Sequence, residues 1–255
     1  MEKTKIEETL LYFSLKYNGD GIKIMQALQN KESINLFEKE RLIKQVKSNY
    51  TTILSKDYPK QLKDIYMPPF VLFYYGDLSL VCNKTIGVIG MRKPSYYGQS
   101  VADQFVCDLV KNKYTIVSGM ALGIDTIAHR SAMHNHGKTI AILGSGIDYC
   151  YPKQNRVIYD LMKNDHLIIS EYPGLLIPHR NNFPKRNRII AALSNQLLVI
   201  EAKQKSGTLI TVGHALDQGK DIFCIPSNID GNTGCNILIQ QGAKLINCIE
   251  DILNE

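Results

Sequence analysis

The run Lys84-Thr85-Ile86-Gly87-Val88-Ile89-Gly90-Met91-Arg92-Lys93-Pro94-Ser95 decides how the chain is read. Its first half is short, apolar and β-branched, and its second half gathers a glycine, two cations, a proline and a serine. That is a buried strand closed by a loop. The unit recurs: residues 85–89, 115–118, 139–143, 167–170, 197–201 and 222–226 are strand-like, with helical segments between them. Strands alternating with helices build an α/β fold, a mostly parallel sheet with helices on both faces. The order in which the strands pair is not legible in such a pattern. Ligands of these sheets bind outside the carboxyl ends of the strands, where loops meet helix N-termini. The informative residues therefore follow each strand: Gly90 to Ser95, Ser118 to Gly123, Gly144-Ser145-Gly146, Glu171-Tyr172-Pro173-Gly174 and Ser206-Gly207-Thr208.

Upstream, residues 4–17 show helical spacing (Ile6, Leu10, Phe13, Tyr17), and Asn18-Gly19-Asp20-Gly21 turns the chain into a second helical segment, residues 22–28. Ser33 is placed to cap a third helix through Lys47. A glycine-rich turn between short helices can touch phosphates, but a small apolar core explains these positions better. Residues 1–55 are thus a small helical N-terminal region, and residues 56–255 the main domain. A proline-rich connector (Tyr58-Pro59, Pro68-Pro69) leads into a strand-like run, Phe70 to Tyr75, closed by Gly76-Asp77. Residues 230–255 read as a turn, a helix from Gly234, a short strand near residues 243–246 and a closing helix.

At 255 residues and 44% hydrophobic content the chain can bury a sizeable core without staples. The six cysteines form no C-x-x-C pair, which indicates reduced thiols, and no apolar run approaches a membrane span. Met1-Glu2-Lys3 lacks the apolar stretch of a signal peptide, so the expected location is the cytoplasm. The net charge of +6 matters only where it is concentrated.

It is concentrated in Pro178-His179-Arg180-Asn181-Asn182-Phe183-Pro184-Lys185-Arg186-Asn187-Arg188. Pro184 suits the first position of a helix. The first turn then carries Lys185, Arg186 and Arg188 at the positive pole of the macrodipole, a place for a polyanion. Phe183 beside these cations is what a single-stranded nucleic acid needs: charge for the backbone and a ring on which a base stacks. Ser118-Gly119 and Ser206-Gly207-Thr208 each precede a helix and can offer N–H groups and hydroxyls to a phosphate, or simply make tight capped turns.

Cofactor fingerprints fail one after another. Gly87, Gly90 and Gly98 do not give G-x-G-x-x-G, Gly144-Ser145-Gly146 has Tyr149 where the third glycine belongs, and the second strand ends in Ser118 where a ribose-binding acid is needed. Gly137-Lys138-Thr139 imitates the end of a P-loop but enters a strand, with Ala132 in the place of the earlier glycine. His129, His134 and His136 have no metal-ligand spacing, and Asp125 and Glu171 have no catalytic partner legible in the sequence. Neither metal nor organic cofactor is expected, and no catalytic residue is assigned.

Taken together in order, six motifs resemble the DNA-processing protein A family (DprA, also called Smf), over roughly Tyr58 to Leu253. They are Gly90-Met91-Arg92 with Ser95 and Tyr97-Gly98; Ser118 to Asp125 with Ala128-His129; Gly144 to Asp148 with Tyr151-Pro152 and Asn155; Ser170 to Pro173; Phe183 to Ile190; and Glu201-Ala202 with Ser206 to Thr211. The resemblance implies an extended Rossmann-like fold, usually a homodimer. It also implies a non-enzymatic protein that binds and protects incoming single-stranded DNA during natural transformation and helps load the RecA recombinase. The expected DNA contacts are Arg92, Lys93, Ser118, Gly119, Met120, Arg180, Phe183, Lys185, Arg186, Asn187, Arg188, Ser206, Gly207 and Thr208, with Arg186 to Arg188 partly structural. Many members continue into a winged-helix-like C-terminal domain, for which this sequence has no counterpart up to Glu255. The alternative is a related phosphoribohydrolase-like enzyme acting on nucleotides, but Thr211 stands where those enzymes carry a catalytic glutamate.

Overall fold

The computed structural model describes residues 4–229 and 231–254. The terminus Met1-Glu2-Lys3, Asp230 of the turn expected there, and Glu255 lie outside the described residues. The expected strands take up β3 (Thr85–Ile89), β4 (Thr115–Ser118), β5 (Thr139–Leu143), β6 (Leu167–Ser170), β7 (Gln196–Val199), β8 (Ile222–Cys224) and β9 (Lys244–Leu245), all parallel. β2 (Val71–Gly76) joins β6 antiparallel and is itself joined by β1 (Asn49–Thr52), giving the order β1-β2-β6-β5-β4-β3-β7-β8-β9. The chain starts its parallel strands at β3 and builds outward in both directions, so the order reverses between β3 and β7. A ligand crevice forms at such a switch point.

The helices follow the expected alternation: α1 (Lys5–Lys16), α2 (Gly21–Gln29), α3 (Leu36–Lys44), α4 (Tyr96–Lys111), α5 (Ile124–His134), α6 (Arg156–Asp165), α7 (Asn182–Leu193), α8 (Gly207–Asp217), α9 (Gly234–Gln240) and α10 (Glu250–Leu253). No helix among the described residues is long and apolar enough to cross a membrane. Strand side chains alternate between faces. Val117, Ile140, Ile142, Leu197 and Val199 pack against Ile189, Ile190, Val212 and Ala215 of α7 and α8. Their neighbours Ile86, Val88, Ile116 and Leu198 pack on the opposite side against Phe105, Val106, Leu109 and Ile127 of α4 and α5.

Several boundaries differ from the sequence reading. β7 and β8 stop at Val199 and Cys224, short of residues 201 and 226, because their ladders run out where β3 ends at Ile89. α3 is capped by Asn35, whose Oδ1 accepts from the Glu38 N–H at 3.1 Å, and not by Ser33. β1 was not foreseen: Asn49-Tyr50-Thr51-Thr52 is polar, and its burial comes from tertiary partners, pairing with β2 first among them.

Because β1 belongs to the sheet, residues 4–55 are joined to the main domain. Leu10 and Leu11 of α1 lie in one cluster with Phe73, Leu143 and Ile168 of the sheet. The Glu7 carboxylate of α1 accepts from Ser55 Oγ at 2.5 Å just beyond β1. Truncating the fully buried Leu11 to Ala should therefore cost about 2–5 kcal/mol of the stability of the whole chain in one cooperative urea transition. A separate early transition for the N-terminal helices would contradict this.

His129 of α5 lies fully inside, its Nδ1 2.7 Å from Thr139 Oγ1. That hydroxyl gives its proton to the Ile116 carbonyl, so the imidazole carries its proton on Nδ1. Burial pushes His129 from 6.5 down to about 3, and burial also lowers His166. Both groups take up protons more readily when unfolded, so their stabilisation is complete above about pH 6.5 and declines as pH falls below it. The urea midpoint should drop between about pH 7 and pH 5; a flat profile would mean these imidazoles charge freely in the folded state.

Candidate nucleic acid interface

The loops after β3, β4, β5 and β7 meet at the carboxyl edge of the sheet, and a buried carboxylate sets the first of them. Ser95 caps α4 by accepting from the Gly98 N–H at 3.0 Å. Its own N–H and hydroxyl donate to Glu201 Oε2, just beyond β7, at 2.9 and 3.2 Å. Asn232 Nδ2 donates to the other oxygen at 2.6 Å. The loop Gly90 to Pro94 is thereby pinned at one end, with Arg92 and Lys93 exposed on it. Gly123 (φ 79°) backs onto this loop so closely that a Cβ there would lie 2.2 Å from the Met91 carbonyl oxygen.

Beneath the loops lies Arg186. Its guanidinium donates to the carbonyl of Gly119 at 2.5 Å and to that of Ile142. Ile142 is the first residue of β5 past the last β4·β5 pair, Ser118 with Ala141, so its carbonyl faces a strand that has already turned away. Arg186 fills the place of the missing partner and ties α7 to the ends of both strands. Asp125 accepts from the Ala121 N–H at 3.2 Å, and a Cβ on Gly119 would come within 2.7 Å of both this carboxylate and the guanidinium. A side chain there would have to displace the guanidinium and the carboxylate. Burial lowers Arg186 to about 10, still protonated at neutral pH, and burial raises Asp125 while Arg186 opposes that rise.

Much of the expected contact set consequently points inward. Ser118 and Met120 are fully buried: the Ser118 hydroxyl donates to the Val88 carbonyl at 2.7 Å, and Asn155 Nδ2 donates to the carbonyl of Met120, itself held at φ 60°, at 2.8 Å. Asn187 donates to the Gly207 carbonyl at 3.2 Å. Arg188 forms a largely buried two-pronged ion pair with Glu171, at 2.7 and 3.3 Å, and donates to the Met67 carbonyl at 3.2 Å. Thr208 donates to the Gly90 carbonyl at 3.2 Å and Ser206 to that of Lys203 at 3.1 Å, while Gly207 is exposed. Arg186, Asn187 and Arg188 were expected to share their roles with DNA. They are bonded inward, Arg186 to carbonyls at the ends of β4 and β5, Asn187 to the start of α8 and Arg188 to Glu171 and Met67, and together they fix α7 to its surroundings.

The outer layer is Arg92, Lys93, Arg180, Phe183 and Lys185. Phe183 is half-buried and the four cations are exposed, with no ion-pair partner among the described residues. α7 begins at Asn182, so Pro184 is its third residue and not its first; the position is tolerated because the first turn's N–H groups have no intrahelical acceptor. This earlier start lays the Phe183 ring on Gly144, where a Cβ would meet ring atom Cδ1 at 2.8 Å. The Arg92 guanidinium stands 5.7 Å from the centre of the ring, and Tyr151 lies on it at 5.5 Å, tilted 34°. Tyr151 was missed as a site residue; its signal was its place in the loop after β5, at the same sheet edge. Among the described residues no three His, Cys, Asp or Glu side chains come together as metal ligands.

Removing the Arg186 side chain would leave Asp125 without its neighbouring positive charge and two carbonyls without donors. Arg186→Ala should cost about 3–5 kcal/mol in urea unfolding. A loss under about 1 kcal/mol would place this arginine at the surface.

Residues 49–255 match the family model described as DNA recombination-mediator protein A. The DNA processing protein DprA of Streptococcus pneumoniae is 46% identical over 206 residues, which cover 80% of this chain and 73% of that protein. The X-ray structure of the Streptococcus pneumoniae protein superposes with a TM-score of 0.85 at 37% identity, covering 100% of this chain and 99% of that one. A structure of DNA processing protein A from Helicobacter pylori, described for its single-stranded DNA binding mode, gives 0.75 at 30% identity over 82% of this chain and 95% of that one. With a family match that begins at β1 and takes in every loop of the sheet edge, the chain belongs to the DNA recombination-mediator protein A family, the DprA and Smf proteins.

Proposed function

We propose that the protein binds single-stranded DNA without regard to sequence along the carboxyl edge of its sheet. Arg92, Lys93, Arg180 and Lys185 neutralise phosphates, Phe183 and Tyr151 stack bases, and the exposed Gly207 admits the backbone. Ser118, Gly119, Met120, Arg186, Asn187, Arg188 and Thr208 hold these groups in place from below, and Ser206 shapes its own loop before α8. The observation that carries this reading is the half-buried Phe183 ring, 5.7 Å from an exposed guanidinium that has no carboxylate partner. Charge beside an aromatic face is the recognition chemistry of single strands. The single-stranded DNA binding described for the Helicobacter pylori relative supports it.

In the same reading the protein is a mediator and not an enzyme. It works in the cytoplasm as a homodimer, protects a strand taken up in natural transformation and hands it to the RecA recombinase. The family's description as recombination mediators supports that role. The acids at the edge are committed to structure: Glu201 to Ser95 and Asn232, Glu171 to Arg188, and Asp125 to the β4 loop beside Arg186. Thr211, in the position of the hydrolases' glutamate, is buried in α8.

Fluorescence anisotropy with an oligothymidine at two salt concentrations tests the binding. Phe183→Ala should lose about 1–3 kcal/mol, and Arg92→Ala should reduce the log–log salt slope by about 0.7. Equal affinity for duplex, or an unchanged Phe183→Ala, would overturn the reading.

A further inference from the structure

A cleft of about 610 Å³ opens beside the start of α7. Asn182, Pro184 and Lys185 line it and Phe183 does not, so the same helix terminus presents the stacking ring to one groove and its neighbours to another. The facing wall is the turn between α1 and α2, residues 18–21, and the rim carries Tyr66, Ile177 and Ile210.

The walls are preformed. A Cβ on Gly19 would lie 2.2 Å from the Glu171 carbonyl oxygen, so the α1–α2 turn seats directly on the loop after β6. Met67 is held at φ 54°, a left-handed conformation that costs a non-glycine residue energy, and Arg188 donates to its carbonyl. That clamp projects the adjoining Tyr66 into solvent, 88% exposed. A large ring kept out of the core at the mouth of a cleft has a face to offer.

Part of the polar lining is engaged, Tyr17 with Glu32 and Arg188 with Glu171 and Met67, and part is free. The side chains of Asn18, Lys23, Asn182, Lys185 and His214 have no hydrogen-bond or ion-pair partner among the described residues, whereas the acids are occupied: Asp20 accepts from the Ile22 and Lys23 N–H groups at 3.1 and 3.3 Å, and Glu171 is paired with Arg188. An apolar ring, free amide and imidazole groups and two unpaired ammonium groups complement a nucleotide.

Building on the single-strand reading above, we infer that DNA crossing Phe183 continues over the start of α7 into this cleft. There a further base stacks on Tyr66 and Lys23 neutralises a phosphate. The N-terminal helices thereby form part of the DNA path.

The test uses the full chain with oligothymidines of about 5 and about 15 nucleotides, near the two ends of common single-strand footprints. Tyr66→Ala and Lys23→Glu, both at exposed positions, should weaken the longer oligonucleotide about fivefold or more while sparing the shorter. Photo-crosslinking with 5-iodouracil in the longer strand, mapped by peptide mass spectrometry, should label Tyr66. Labelling confined to Phe183 and Tyr151, with both variants binding like wild type, would overturn the inference, assign the cleft to another ligand such as a peptide, and leave the single-strand reading standing. If Phe183→Ala also bound like wild type, that reading would fall and this inference with it.

Discussion

The Arg186 guanidinium, buried and bonded to the carbonyls of Gly119 and Ile142, is the interaction on which the sheet edge depends. Parallel strands of unequal length leave carbonyls without partners where a neighbour turns away, and a buried carbonyl without a donor is costly. One planar cation with several donors satisfies two such groups at once and lies beside Asp125. Its backbone belongs to α7, so the same contacts set where that helix starts. Everything the helix terminus presents, Phe183 on one side and Asn182 with Lys185 on another, inherits its position from a buried residue.

A second layer of constraint works by the same logic. Glu201 gathers Ser95 and Asn232, Asn155 holds Met120 in a left-handed turn, and Arg188 holds Met67 in another while pairing with Glu171. Each ties one loop of the edge to an element distant in sequence. The outer cations are then free of carboxylates because the acids nearby are already used. A surface with unpaired positive charge around the half-buried Phe183 ring and its neighbour Tyr151 follows from the inner network, without any loop being strongly basic throughout.

The alternation of apolar runs and helical segments was enough for the parallel sheet, since β3 to β6 fall at the expected residues. β1 was not legible, because Asn49-Tyr50-Thr51-Thr52 has no apolar pattern and gains its burial from partners distant in the fold, β2, the cluster that Tyr50 joins, and Glu7 and Ser55 beside Thr52. The start of α7 was misplaced by two residues, since proline is compatible with any position of the first turn. At the site, composition singled out the basic stretch but did not separate its layers: a run of Lys185-Arg186-Asn187-Arg188 looks uniform, and helical rotation sends Lys185 outward and its neighbours inward.

The sequence by itself determined the α/β class, the loops that converge on one edge, and the presence there of cations beside an aromatic ring. These depend on local pattern, hydrophobic period and turn chemistry. Only the tertiary structure decided the strand order, the joining of the N-terminal helices to the sheet, and which of the basic residues are exposed. Those depend on partners far apart in the chain, Arg186 with Gly119 and Ile142, Arg188 with Met67 and Glu171, Phe183 with Tyr151 and Arg92, whose meeting no local pattern encodes.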